Sequence, residues 1–68
     1  MLTLDAVAAR REFPHVVGTI DKAEVFADFA VLFMGKRAYG VICRGEFVGC
    51  CPSRKLAIAA GQRRAYGG

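Results

Sequence analysis

The chain has 68 residues, of which 54% are hydrophobic, and its formal net charge is +4. A domain this short buries only about 60% of the surface that its unfolded chain exposes, so we expect a single domain that forms a homodimer to cover its remaining apolar surface. The longest uninterrupted apolar run, residues 29–34, is shorter than the roughly 20 residues of a membrane-spanning helix. The first residues include Asp5 and do not have the basic and then apolar order of a secretory signal, so we expect a cytoplasmic protein.

The charge is unevenly distributed between the two halves of the chain. Residues 1–34 contain three Lys and Arg against five Asp and Glu, a net charge of 3 − 5 = −2. Residues 35–68 contain seven Lys and Arg against Glu46 alone, a net charge of 7 − 1 = +6. This asymmetry indicates a polyanionic ligand or an acidic partner protein. The alternative is a solvated surface that keeps an apolar protein in solution.

The N-terminal segment predicts a short helix over residues 3–13. Leu4, Val7 and Ala8 recur at helical spacing, and Pro14 follows the segment. The β-branched run at residues 15–20 is then typical of a brief strand.

Residues 21–34 are compatible with two structures. As a helix, the segment has Asp21 as N-cap, Glu24 three residues later in capping-box spacing, and Gly35 just after its end. As a strand, the apolar residues 29–34 lead into a tight turn and pair with the segment that follows. The sequence leaves both alternatives open, including a helix-like start with an extended segment from about Ala27 onwards.

Residues 37–44 and 47–51 predict a β-hairpin, because two extended runs flank a glycine-containing dipeptide. A glycine in the first position of residues 45–46 suits a type II′ turn. In that register Arg44 lies opposite Phe47.

The last segment predicts a helix over residues 53–65 with Ser53 as its N-cap. Gly61 weakens this helix by about 1 kcal/mol relative to Ala, so we expect fraying beyond it and a disordered tail at residues 66–68. Together the elements predict a single α+β domain over residues 1–68, with a small antiparallel β-hairpin or three-stranded meander flanked by N-terminal and C-terminal helices.

Metal binding and catalysis are not favoured by the cysteine and histidine spacing. Cys43, Cys50, Cys51 and His15 are four potential zinc ligands, but structural zinc sites usually take ligands in pairs separated by two to four residues. Adjacent side chains on a strand point to opposite faces, and nothing in the sequence brings a thiol next to the single histidine. We therefore predict free thiols, no metal, no cofactor and no enzymatic activity.

The strongest functional pattern is a set of basic residues interleaved with aromatic residues in the second half of the chain. Lys and Arg neutralise phosphates, and exposed aromatic rings stack on unpaired bases. We predict a non-enzymatic nucleic-acid-binding accessory protein that binds DNA or RNA. The predicted site residues are Lys36, Arg37, Tyr39, Arg44, Arg54, Lys55, Arg63 and Arg64.

The alternative function is a small protein-interaction module. In this hypothesis the chain is an inhibitor or adaptor of the kind encoded by phages and mobile elements, and it docks apolar residues such as Ile42 and Phe47 onto a host protein.

Overall fold

The computed structural model describes residues 2–67 as a five-stranded sheet with one helix on each face. All neighbouring strands are antiparallel, and the order in the sheet is the order in the chain. This confirms the predicted α+β class and both predicted helices, but the sheet has five strands where two or three were predicted. The brief strand predicted at residues 15–20 is wrong, because this segment is the loop between α1 and β2. The elements are β1 (Leu2–Asp5), α1 (Ala6–Glu12), β2 (Lys22–Val25), β3 (Phe29–Phe33), β4 (Tyr39–Cys43), β5 (Glu46–Cys51) and α2 (Arg54–Tyr66).

The first helix starts later than predicted, because the residues before it form an edge strand. Leu4 pairs with Ala23 of β2, a contact that helical periodicity within residues 3–13 cannot reveal. Asp5 ends β1 and is the N-cap of α1, where its carboxylate accepts a hydrogen bond of 2.9 Å from the N–H of Ala8. A cap of this kind satisfies one of the unpaired donors of the first turn.

Residues 21–34 contain two strands and a turn, so the helical alternative is wrong. The turn lies between β2 and β3, where the N–H of Phe26 donates to the carbonyl of Phe29 at 2.7 Å. The strand alternative is confirmed for β3. The reason is burial on both sides, since four of the five β3 residues are buried and a strand between two helices accommodates a continuous apolar run.

Two apolar clusters lie on opposite sides of the sheet, which we call the α1 face and the α2 face. On the α1 face, Leu32 packs in a cluster with Ala9 of α1. On the α2 face, Val31 packs in a cluster with Ala57 of α2. The pleat of β3 therefore supplies both cores in alternation. Neither helix in the described part of the chain is long and apolar enough to span a bilayer.

The β4–β5 hairpin turns one residue earlier than predicted. Cys43 pairs with Glu46, and the two residues between them, Arg44 and Gly45, have φ of +52° and +82°. Two central residues with positive φ define a type I′ turn, whose twist matches that of the flanking strands. The predicted type II′ turn was wrong, and Arg44 lies in the turn and not opposite Phe47.

A bulge in β5 follows this turn. Phe47 pairs with Ile42 and Gly49 pairs with Val41, which leaves Val48 as the extra residue. Because paired residues share a face, Phe47 lies on the α1 face and Gly49 on the α2 face.

The second helix continues to Tyr66, where fraying beyond Gly61 had been expected. The hydroxyl oxygen of Ser53 accepts a hydrogen bond of 3.2 Å from the N–H of Leu56, as the predicted N-cap requires. Gly61 is buried against the ring of Phe29, so tertiary contact outweighs its low helix propensity. Tyr66 ends α2, and Gly68 of the predicted tail lies outside the described residues.

Candidate nucleic-acid interface

The fold distributes the predicted site residues between the two ends of the sheet. At one end are the β3–β4 turn, the end of β5 and the start of α2. At the other end the β4–β5 turn meets the last turns of α2. The first group contains Lys36, Arg37, Tyr39, Arg54 and Lys55, and the second contains Arg44, Arg63 and Arg64.

In the first group, Arg54 is engaged in an ion pair that joins α2 to β2. Its Nε donates to Oε1 of Glu24 at 2.6 Å and its Nη2 donates to Oε2 at 3.1 Å. The hydrogen bond to Glu24, followed by the charge of the same carboxylate, raises the pKa of Arg54. Glu24 is the only charged residue of the described chain that is buried. Since this carboxylate needs a partner, we assign Arg54 a structural role.

Tyr39 in the same group packs against other side chains. It is half-buried, and its ring meets the ring of Phe33 edge-on with centroids 5.1 Å apart. Nζ of Lys22 lies over the same Phe33 ring, 4.6 Å from its centroid. The Tyr39 ring is thus part of the packing under α2, whereas Lys36, Arg37 and Lys55 are exposed.

The second group surrounds an open cleft of about 670 Å³ between α2 and β5, which we call the arginine cleft. It forms because α2 lies mainly over β3 and β4 and covers less of β5, where Cys51 packs in the α2-face cluster. Its basic and acidic side chains sum to 3 − 1 = +2. The lining residues are Cys43, Arg44, Glu46, Val48, Ala60, Arg63, Arg64 and Gly67.

Arg44 occupies a strained backbone position at the end of this cleft. Its φ of +52° lies in the left-handed region, which costs a residue with a side chain about 1–2 kcal/mol. Asn, Asp and Gly are the usual residues there in a type I′ turn. Its Nη2 donates to the carbonyl of Ala65 at 3.3 Å, which holds the side chain beside the end of α2. Strained positions cluster at functional sites, so Arg44 is the residue of the cleft that we test first.

The aromatic side chains lie outside the cleft. Phe47 is on the α1 face, on the other side of the sheet. Tyr66 packs its ring edge-on against Phe29, with centroids 6.5 Å apart. Partial desolvation, and then a hydrogen bond with Asp28, raise the pKa of Tyr66. The cleft therefore offers guanidinium groups over a small apolar floor, which suits phosphate contacts better than base stacking.

The cysteines are free thiols with different exposure. Cys43 is buried, Cys51 is half-buried and Cys50 is exposed. Within residues 2–67, no three side chains of His, Cys, Asp or Glu come together in a way that could hold a metal ion.

Sequence reasoning missed the floor of the cleft, which includes Val48 and Ala60. In the sequence, the Arg44-Gly45 dipeptide is the feature that could have revealed this part of the cleft. A type I′ turn at these two residues would have predicted that Glu46 pairs with Cys43. Comparisons of the chain with protein-family models, with curated proteins and with solved structures found no match.

Proposed function

We propose that this chain is a non-enzymatic nucleic-acid-binding accessory protein of the cytoplasm, and that the arginine cleft holds a stretch of phosphate backbone. The observation that carries the proposal is that Arg44 lies in one cleft with Arg63 and Arg64, although they are 19 and 20 positions away from it in the chain. Guanidinium groups bind phosphate oxygens in bidentate geometry. A cytoplasmic location is supported by three free cysteines, one of them exposed, which suits a reducing compartment.

The contacts are directed to the backbone and not to the bases, because the aromatic rings lie away from the cleft. DNA and RNA are then both bound with little sequence preference. The longest extent of the molecule is 33 Å, which at about 3.4 Å per base pair corresponds to about ten base pairs of duplex. Lys36, Arg37 and Lys55 add exposed basic side chains at the other end of the sheet.

Salt dependence gives the quantitative form of the proposal. If the three arginines each contact one phosphate, the slope of log K against log salt contains about −2.7 from the cleft for duplex DNA, or about −2.1 for single strands. Basic residues at the other end of the sheet add to this slope.

The experiment is a salt titration of binding with Arg44→Asn as the main variant. Asn tolerates the left-handed conformation, so the variant keeps the turn while it removes the guanidinium. We expect weaker binding, a slope shallower by about 0.9 on duplex DNA and no loss of thermal stability. Arg11→Gln is the matched control, since Arg11 is an exposed residue of α1 on the other side of the sheet.

Two outcomes contradict the proposal. If Arg11→Gln weakens binding as much as Arg44→Asn does, only the net charge matters and the cleft is not the site. If the protein does not bind DNA or RNA at low salt, the function is not nucleic-acid binding.

The second candidate function is the protein-interaction module. The observation that favours it is the exposed edge of β5, which carries Phe47, Val48 and Cys50. Of the two predicted docking residues, Phe47 is exposed, whereas Ile42 is buried in the α1-face cluster and cannot dock onto a partner. Homodimerisation stays a prediction from composition, because the exposed large apolar side chains are spread over both faces of the sheet. They are Leu2, Val7, Val17, Phe47, Val48, Leu56 and Tyr66.

A further inference from the structure

β5 is an edge strand whose protection against further pairing is the single bulge at Val48. Within residues 2–67, β4 is the only strand that pairs with it. Edge strands in natural proteins are commonly short, or carry Lys or Pro. β5 has six residues, its one charged residue is Glu46 at its start, and Pro52 follows only after its end. Phe47 and Val48 are each 40% exposed, so the edge is both open and apolar.

The backbone groups of two β5 residues point away from the sheet. In the type I′ turn the Cys43 carbonyl accepts from the N–H of Glu46, so these two residues form a hydrogen-bonded pair. Along β4, residues whose backbone groups bond to β5 alternate with residues whose backbone groups bond to β3. Ile42 and Gly40 are of the second kind, and they lie opposite Phe47 and Cys50. The N–H and C=O groups of Phe47 and Cys50 therefore point away from β4, three positions apart, with the bulge at Val48 between them.

The two sides of this edge differ in chemistry. On the α1 face, the exposed side chains are Phe47 and Cys50, which are apolar. On the α2 face, Val48 lines the arginine cleft together with Arg63 and Arg64. Gly49 has no side chain there, and nothing lies within 4 Å of the position that its Cβ would take. A segment paired with β5 would alternate between an apolar side and a basic side.

We propose that β5 binds an extended segment of a partner protein in which apolar and acidic side chains alternate, and that this segment becomes a sixth strand of the sheet. The main-chain groups of Phe47 and Cys50 supply the hydrogen bonds, as in other additions of a peptide strand to a sheet edge. The acidic side chains lie on the α2 face beside Arg63 and Arg64, and the apolar side chains lie on the α1 face.

A second copy of the chain fits this edge less well. If two β5 strands paired antiparallel about a two-fold axis with Phe47 opposite Cys50, the register in which both of these residues bond to the second copy, Glu46 of that copy would lie beside Cys51, at the far end of the strand from Arg63 and Arg64. The arginines would gain no carboxylate from the pairing. An acidic segment supplies further carboxylates to a side of the edge where Glu46 alone faces three arginines.

The test uses two synthetic heptapeptides, one of alternating Glu and Val and one of alternating Lys and Val, followed by NMR titration and amide exchange. We expect the Glu-Val peptide to bind and to slow exchange of the Phe47 and Cys50 amides, and the Lys-Val peptide to bind at least about tenfold more weakly. Equal binding of both peptides, or binding of neither, overturns the proposal.

The variant pair Cys50→Pro and Cys50→Ala separates backbone pairing from loss of the thiol. At this edge position Pro removes only an outward N–H. We therefore expect Cys50→Pro to lower the affinity for the Glu-Val peptide about tenfold, near the value of one hydrogen bond. Cys50→Ala should bind the peptide as tightly as the wild type does. Equal peptide affinity of both variants overturns the proposal. If Cys50→Pro does not fold, the amide exchange of the wild-type protein decides.

Two further measurements distinguish the other occupants of this edge. If sedimentation equilibrium shows a dimer and the Phe47 amide is protected without peptide, a second copy occupies the edge and the proposal is overturned. Nucleic-acid affinity is expected to be unchanged in Cys50→Ala and Cys50→Pro, because Cys50 lies on the α1 face and the arginine cleft lies on the α2 face. The nucleic-acid proposal and the peptide proposal can therefore fail separately.

Discussion

Replacing Gly61 by Ala tests whether tertiary contact outweighs helix propensity in α2. Gly61 lies inside α2 and is buried. A Cβ at this position would lie 2.6 Å from Cε2 and 2.8 Å from Cγ of Phe29, and closer still to Cδ2. The Phe29 ring is 5% exposed and stacks on the ring of Phe26 with centroids 4.7 Å apart. It has little room to move.

Two opposing effects determine the stability of this variant. Ala in place of Gly in a helix interior stabilises by about 1 kcal/mol, whereas an extra methyl group in a filled core costs about 1–3 kcal/mol. Since three ring atoms are too close, we take the upper part of that range. The net effect is a loss of about 2 kcal/mol, which for a domain of this size lowers the melting temperature by about 8–16 °C.

Thermal and urea unfolding measure the effect, with Ala59→Gly as the control for propensity. Ala59 is an exposed residue of α2, so Ala59→Gly is expected to cost about 1 kcal/mol. The double variant Gly61→Ala with Phe29→Leu should be less destabilised than the sum of its single variants, because the two side chains touch. A melting temperature of Gly61→Ala above that of the wild type would refute this reasoning.

Three more predictions concern the buried acid, the C-terminal tyrosine and the thiols. Glu24→Gln should lower the free energy of unfolding in urea by about 1 kcal/mol, because Arg54 loses the charge of its partner in a partly exposed pair; the same loss in an exposed control, Glu12→Gln, would contradict this. Because the pKa of Tyr66 is raised above its ordinary value of 10.0, its contribution to stability is present below pH 10.0 and is lost as pH rises through the raised pKa. Ultraviolet titration of the wild type and Tyr66→Phe checks this, and ionisation of Tyr66 below pH 10.0 would disprove it. A thiol reagent should modify Cys50 at once and Cys43 only on unfolding, and equal rates for the two would show that Cys43 is not buried.

The elements that could be predicted from the sequence are those whose signals lie within a few adjacent residues. The N-cap at Ser53 was predicted because a hydroxyl and the N–H three residues later are neighbours in the chain. The β4–β5 hairpin was predicted from its glycine, although the turn type was wrong by one residue. The choice between Arg44-Gly45 and Gly45-Glu46 depends on which dipeptide has positive φ at both positions.

The strands β1 and β2 could not be predicted, because their signal is a partner distant in sequence. Leu2 pairs with Val25 across the whole of α1 and the loop that follows it. Taken alone, residues 3–13 have the period of a helix. The strand at Leu2–Asp5 is stabilised by ladder hydrogen bonds with β2, which helical periodicity does not register.

The candidate site shows the same division between local and distant information. The charges and the potential ligands follow from composition and spacing alone: a basic second half, three cysteines and no paired metal ligands. Which of these charges are available to a ligand depends on the fold, since Glu24 binds Arg54 from 30 residues away and the α2 helix brings Arg63 and Arg64 to Arg44. The charge of a side chain is a property of that residue alone. Its position is fixed by the fold, which forms because the two helices and the other strands bury both faces of β3. Those elements come from the whole length of the chain.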